Sequence, residues 1–285
     1  MTAFVVFNPN AANGDTGRDW EEIEEALERI FPLMTFFVTN GPTQAARMVR
    51  DALHDGHMEI VAVGGDGTIN EALNGFFEHG AAVSPDAVFS FVHSGNDSEL
   101  CRHFGLAQGW RAGIAHLKKA RIRKVDVGRV ACLSVTGAPV ARYFLGGASF
   151  GLGASIAARL GASRIARFFG LGFARWLHGR LALAHWRECR VRLMADGTDE
   201  IAGIANVTVS PQGGLFDLGI TGGRPRARVL GEIRRGKARR LRSLRLTAAP
   251  TLDTNGAVAV ETDGESAGVL PATFEIYPAA INLRV

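Results

Sequence analysis

The chain has 285 residues, 47% of them hydrophobic, and a formal charge of +4, which suits one large or two medium domains with ordinary cores. Its 35 glycines are scattered without a period, which excludes collagen-like and low-complexity chains. Three widely spaced cysteines, Cys101, Cys132 and Cys189, form neither a disulfide framework nor a metal knuckle. No apolar run reaches the roughly 18 residues of a membrane span. The cysteine usage points to a reducing cytosol, and the opening "MTAFVVFNPN" lacks the basic start of a signal peptide and reads as a first β-strand.

In the first half strands alternate with helices. "AFVVF" (3–7) is a strand, and "NPNAANGDTG" is a loop rich in glycine and asparagine. From Arg18 to Phe31 the apolar residues Trp20, Ile23, Ala26, Leu27 and Ile30 recur at helical spacing, with Asp15 or Thr16 as the cap. "MTFFV" (34–38) is the second strand. A helix follows over "PTQAARMVRDALHDG", with Pro42 in its first turn and Gly56 as its stop. "EIVAV" (59–63) is the third strand and "INEALNGFFEHG" the third helix. "DAVFSFV" (86–92) is the fourth strand, and a helix runs from Trp110 to Ala120. This alternation predicts a parallel, Rossmann-like α/β sheet covered on both faces.

The second half changes character. "KVDVGRVACLSV" and "ARYFLGGAS" flank the turn "TGAP", and "ECRVRLMADGTDEIAGIANVTVS" reads as a hairpin around Asp196-Gly197. A helical stretch over 155–186 interrupts a mostly antiparallel β-rich part. The expected division is 1–124 and 125–285. The segment 224–245 carries ten Arg or Lys and one Glu, a local +9, so the remainder of the chain is acidic. Such a belt attracts an anionic membrane or forms a solvated helix face. The stretch 159–186 mixes Phe168, Phe169 and Trp176 with Arg164, Arg167 and Arg175. It suits a membrane-facing helix or a core helix with a charged outer face. No aromatic stacking platform accompanies the charge, and nucleic acid is not expected as a partner.

Chemistry concentrates in "VAVGGDGTINEALNGF" (61–76). Gly64, Gly65 and Gly67 surround Asp66 at a strand end, where α/β proteins bind ligands. Glycines let amides approach a phosphate closely, and a following helix N-terminus favours an anion. Asp66 suits a magnesium ion held through water beside such a phosphate. The other reading is a tight βα turn with Asp66 as a helix cap.

This stretch resembles the signature of the diacylglycerol kinase catalytic family, which includes bacterial lipid kinases and sphingosine kinases. "FNPNAANGDTG" is similar to the family's Asn-Pro opening loop, "HSGNDSELCRHFGL" to its second glycine loop, and "ETDGE" (261–265) to its late Asp-Gly-Glu. The resemblance implies an ATP- and magnesium-dependent lipid kinase with ATP between an α/β and a β-rich domain. It implies nucleotide contacts from Asn8, Pro9, Thr39, Gly64, Gly65, Asp66, Gly67, Thr68, Ser94, Gly95, Asn96 and Asp97. It further implies magnesium at Asp66, Asp97 and Asp263, with Asp66 and Glu265 as catalytic carboxylates. The acceptor would be a lipid hydroxyl, on a diacylglycerol, a sphingoid base or a related lipid. Asp263-Gly264 alone would equally suit a plain hairpin turn.

Two departures stand against the family pattern. His93 and Ser94 occupy positions where the family has glycine and threonine. In "SPQGGLFDLGIT", Gly213 and Gly214 stand where Asp-Gly is expected, and the nearest carboxylate is Asp217. Either Asp217 or another acid substitutes, or Asp66, Asp97 and Glu265 suffice, or the chain binds nucleotide or lipid without efficient transfer. A kinase with a soluble acceptor, such as an NAD kinase, is disfavoured by Asn70-Glu71 and by the Asn-Pro opening.

Overall fold

The computed structural model describes residues 2–95, 97–151, 154, 189–204, 206–221, 239–248 and 258–285. The stretch 159–186 and most of the basic belt, including 224–238, lie outside the described residues, as does Asn96. The chain divides into two compact units, Met1–Val127 with Ala279–Val285, and Gly128–Pro278.

The first unit is an α/β layer. Its sheet contains β1 (Ala3–Phe7), β2 (Met34–Val38), β3 (Glu59–Gly64) and β4 (Val88–His93). β1 pairs in parallel with β2 and β3, and β3 pairs in parallel with β4. Every residue of β1, β3 and β4 is buried, as near-continuous apolar runs require when helices cover both faces. β2 is the edge, and Phe36 and Phe37 on it are exposed. At the other side Asn282 and Leu283 pair in parallel with Val88 and Phe89. Arg284 there makes a largely buried ion pair with Glu59, its Nη2 donating to both carboxylate oxygens at 2.7 Å.

The helices are α1 (Trp20–Glu28), α2 (Gln44–His54), α3 (Asp66–Gly75), α4 (Glu99–Phe104) and α5 (Trp110–Leu117). Ile23 and Leu27 of α1 pack with Trp110, Ile114 and Leu117 of α5 against β1 and β3. α2 and α3 approach each other closely because Gly75 has no side chain. A Cβ there would lie 2.6 Å from Ala46 O and 2.7 Å from Val49 Cβ.

Several boundaries differ from the sequence reading. Asp15–Arg18 forms a separate single turn, and α1 begins at Trp20 after Asp19. α2 begins at Gln44, past Pro42, because Thr43 is left-handed. α3 begins three residues earlier than expected and stops at Gly75, where the short strands Phe77–Glu78 and Ala81–Ala82 turn back on each other. α4 is a helix that apolar periodicity did not reveal.

The second unit is antiparallel. The hairpin β5 (Ile122–Leu133) and β6 (Pro139–Phe144) forms around "TGAP", and β7 (Ala148–Gly151) follows. β8 (Cys189–Ala195) and β9 (Thr198–Ile204) turn at Asp196-Gly197, and β10 is Asn206–Gln212. The rest are β11 (Leu215–Thr221), β12 (Arg239–Leu241), β13 (Ser243–Ala248), β14 (Ala259–Thr262) and β15 (Glu265–Arg284). β10 is central, pairing with β7 and β11, and β14 joins β7 to β15. Phe144, Phe150, Phe216 and Phe274 fill the core, with ring centroids 6.3–6.5 Å apart.

Candidate phosphoryl-transfer site

The motif loop begins where β3 ends. Gly64 must be small, since a Cβ there would lie 2.8 Å from Thr68 Oγ1 and 2.9 Å from Thr68 Cβ. Gly65 is the cap residue of α3 in extended backbone, and a Cβ there would meet no atom within 4 Å. Gly67 lies in the first turn of α3, where backbone amides have no partner within the helix. Thr68 is buried, and its hydroxyl accepts a 3.0 Å hydrogen bond from Asn8 Nδ2. Asn8 Oδ1 in turn accepts from Asn10 N, at 3.0 Å, so the Asn-Pro loop is tied to the glycine loop. Pro9 O accepts from Gly17 N at 3.1 Å, and Ala12, Asn13 and Gly14 all have positive φ. Thr39 is buried, and its hydroxyl donates to Phe7 O at 3.3 Å.

Asp66 is the first residue of α3, not its cap, and its carboxylate reaches the start of a second helix. Oδ1 accepts from Ser98 Oγ at 2.5 Å, and Oδ2 accepts from Glu99 N at 2.8 Å. Ser98 also caps α4 by accepting from Cys101 N, and Gln108 Oε1 accepts from Ser98 N. Burial pushes the Asp66 carboxyl above its ordinary value, against the opposing pull of the Ser98 hydroxyl, His93 and the Glu99 amide. Ser98 was missed by the sequence reading. Its signal was a serine one residue before an acidic first turn, in "DSELCRHFG".

His93 closes β4. Its Nδ1 lies 3.0 Å from Gly95 O, and its Nε2 lies 3.6 Å from Asp66 Oδ1. Burial pushes its basicity below the ordinary value, with Asp66 pulling the other way. A Cβ on Gly95 would stand 2.9 Å from His93 Cε1, so the histidine and this glycine require each other. Ser94 Oγ is buried and has no hydrogen-bond partner among the described residues. Asp97 pairs with Arg102.

In the second unit, Asp263 is left-handed and only 2% exposed. Its carboxylate accepts from Leu145 N (3.0 Å), Gly146 N (2.8 Å) and Gly147 N (3.1 Å). Glu265 is exposed at the start of β15. Gly213 and Gly214 have φ of +62° and +74° and link Gln212 to its partner Leu215. That is a two-residue hairpin turn needing positive φ at both positions, which explains two glycines there. Asp217 is paired in β11 with Arg240, at 3.3 Å.

Among the described residues, no three His, Cys, Asp or Glu side chains gather as a metal cluster. Magnesium keeps several waters and needs only one or two carboxylates beside phosphates, so Asp66 fits it. Asp263 does not, because three amides occupy its two oxygens inside the core.

A search of the solved structures finds a diacylglycerol kinase from Bacillus anthracis str. Sterne, with a TM-score of 0.69 at 17% identity, covering 99% of this chain and 96% of that one. A further structure from that organism, named only provisionally as a diacylglycerol kinase, has a TM-score of 0.70 at 18% identity, with 99% and 96% covered. Yeast NADH kinase complexed with NADH has a TM-score of 0.56 at 10% identity, with 99% and 82% covered. At these identities the likeness is one of fold. No curated protein matches. Residues 2–130 match the family described as the diacylglycerol kinase catalytic domain, and this is the family that the sequence motifs resemble.

Proposed function

We propose that the chain is an ATP- and magnesium-dependent lipid kinase that phosphorylates a lipid hydroxyl. The observation that carries this reading is the glycine loop with its aspartate. Asp66 is oriented by Ser98 and Glu99 at the start of α3, inside the segment matched by the family. Phosphoryl transfer asks for positioning, neutralised phosphate charge and a carboxylate to take the hydroxyl proton.

In this reading Gly64 to Thr68 and the N-terminus of α3 receive the phosphates. Asn8, Pro9, Thr39, Ser94, Gly95, Asn96 and Asp97 line the nucleotide. The orphaned Ser94 hydroxyl supports that assignment, because a buried hydroxyl without a partner is costly unless a ligand supplies one. Asp66 holds magnesium, which when bound neutralises phosphate charge. The exposed Glu265 is the second catalytic carboxylate, and Asp263 holds the loop over 145–147. The first unit is the nucleotide-binding part and the second the acceptor-binding part. The expected setting is cytoplasmic and peripheral to an anionic membrane. Among the described residues, no helix is long and apolar enough to cross a membrane.

A second reading rests on Gly213-Gly214. Here the chain binds nucleotide or lipid without efficient transfer, since the expected acid is absent and Asp217 is engaged by Arg240. One experiment separates the two. The protein is incubated with magnesium, γ-labelled ATP and mixed micelles carrying diacylglycerol, sphingoid bases or related lipids. Label in one lipid class establishes the kinase and its acceptor. ATP binding with no labelled lipid favours the second reading.

A further inference from the structure

His93 stands where the family resemblance has glycine, so its imidazole is a group that the motif does not require. The ring is 5% exposed. Its Nδ1 faces Gly95 O at 3.0 Å, and a carbonyl only accepts, so Nδ1 carries the proton. In the neutral ring Nε2 then presents a lone pair. That lone pair makes no hydrogen bond among the described residues, and the nearest charged atom is Asp66 Oδ1, itself an acceptor, at 3.6 Å. Asp66 Oδ1 also accepts from Ser98 Oγ, and no hydrogen bond joins it to Nε2 across the 3.6 Å gap.

Histidines that bind metals characteristically give their other ring N–H to a backbone carbonyl, which fixes tautomer and orientation. His93 has that arrangement through Gly95, and Gly95 can be nothing larger beside it. The separation is informative as well. Adjacent ligands of a tetrahedral ion with bonds of about 2.05 Å lie about 3.3 Å apart. Around octahedral magnesium they lie about 2.9 Å apart. Imidazole is a ligand for first-row transition ions rather than for magnesium.

We propose that His93 Nε2 and Asp66 Oδ1 together ligate a divalent transition ion, so that this site prefers such an ion over magnesium. Water completes the coordination of the site free of nucleotide. The proposal rests on the reading of Asp66 as a metal-binding residue, and its test uses neither ATP nor lipid.

The probe is Mn2+ alone, added below the protein concentration and read by electron spin-echo envelope modulation. The expected result is a 14N coupling that changes to the 15N pattern when the histidines are 15N-labelled. The coupling should vanish in H93A and in D66N, with Mn2+ affinity falling about tenfold or more in each. It should survive in H54A, whose ring pairs with Glu78 instead. Mn2+ bound through Asp66 without nitrogen coupling would overturn the role of His93 while leaving the kinase reading intact. Coupling unchanged in H93A and D66N, or no Mn2+ binding at all, would also overturn it. Isotope labelling needs no substitution, so the test stands even if H93A fails to fold.

Discussion

Adjacent glycines in the motif loop are predicted to separate fold from function. In Gly64→Ala the new methyl would lie 2.8 Å from Thr68 Oγ1 and 2.9 Å from its Cβ. Thr68 cannot swing away without breaking its bond from Asn8. Overpacking of this kind costs about 1–3 kcal/mol. For a unit of this size that lowers Tm by about 2–10 °C. In Gly65→Ala the methyl meets nothing within 4 Å, and the backbone is in a conformation any residue adopts. Its cost is that of alanine replacing glycine as a helix cap, about 1 kcal/mol or less. If phosphates approach this backbone, however, the methyl stands in their way, and ATP affinity should fall at least about tenfold, or 1.4 kcal/mol. Thermal unfolding and equilibrium ATP binding read the two effects separately. A folded Gly65→Ala protein that binds ATP like the parent would refute the assignment of this loop to phosphate.

Asp263→Ala leaves the amides of Leu145, Gly146 and Gly147 without their acceptor, and a loss of about 2–4 kcal/mol is expected in denaturant unfolding. Gly213→Asp should fold, because aspartate tolerates the left-handed backbone of this turn, and its turnover in the micelle assay should exceed the parent's if the missing acid limits transfer. The Asp196 carboxylate is held below the usual value by the amides of Arg242 and Ser243, so its contribution is full above the ordinary aspartate pKa and is lost as pH falls through the folded one. The stability deficit of Asp196→Ala, measured by unfolding, should therefore be present at pH 7 and disappear on acidification.

The strands of the first unit were legible because "AFVVF", "EIVAV" and "VFSFV" are apolar but for Glu59 and Ser90, as a doubly covered parallel sheet demands. The third helix was misplaced at both ends. Gly65 and Gly67 read as loop, yet only Gly65 is outside the helix, and the turn through His79 and Gly80 was read as the end of that helix. α4 is six residues long, too short for a periodic signal, and Ser98 at its start went unnoticed for that reason. Motif spacing pointed to Asp66, but not to its partners. Ser98 and His93 come from a different strand and loop, and only the folded backbone brings them to it. Asp263 illustrates the opposite limit. A motif aspartate resembled a metal ligand, and its three amide donors come from residues 116–118 positions earlier.

The central claim is that Asp66 serves phosphoryl transfer to a lipid hydroxyl. The most direct measurement compares transfer from γ-labelled ATP to lipid in mixed micelles by the parent protein and by Asp66→Asn, with folding of both checked by thermal unfolding. The account predicts labelled lipid from the parent and at least about a hundredfold less from the variant. Equal transfer by the two proteins, or none by a parent that binds ATP, would contradict it.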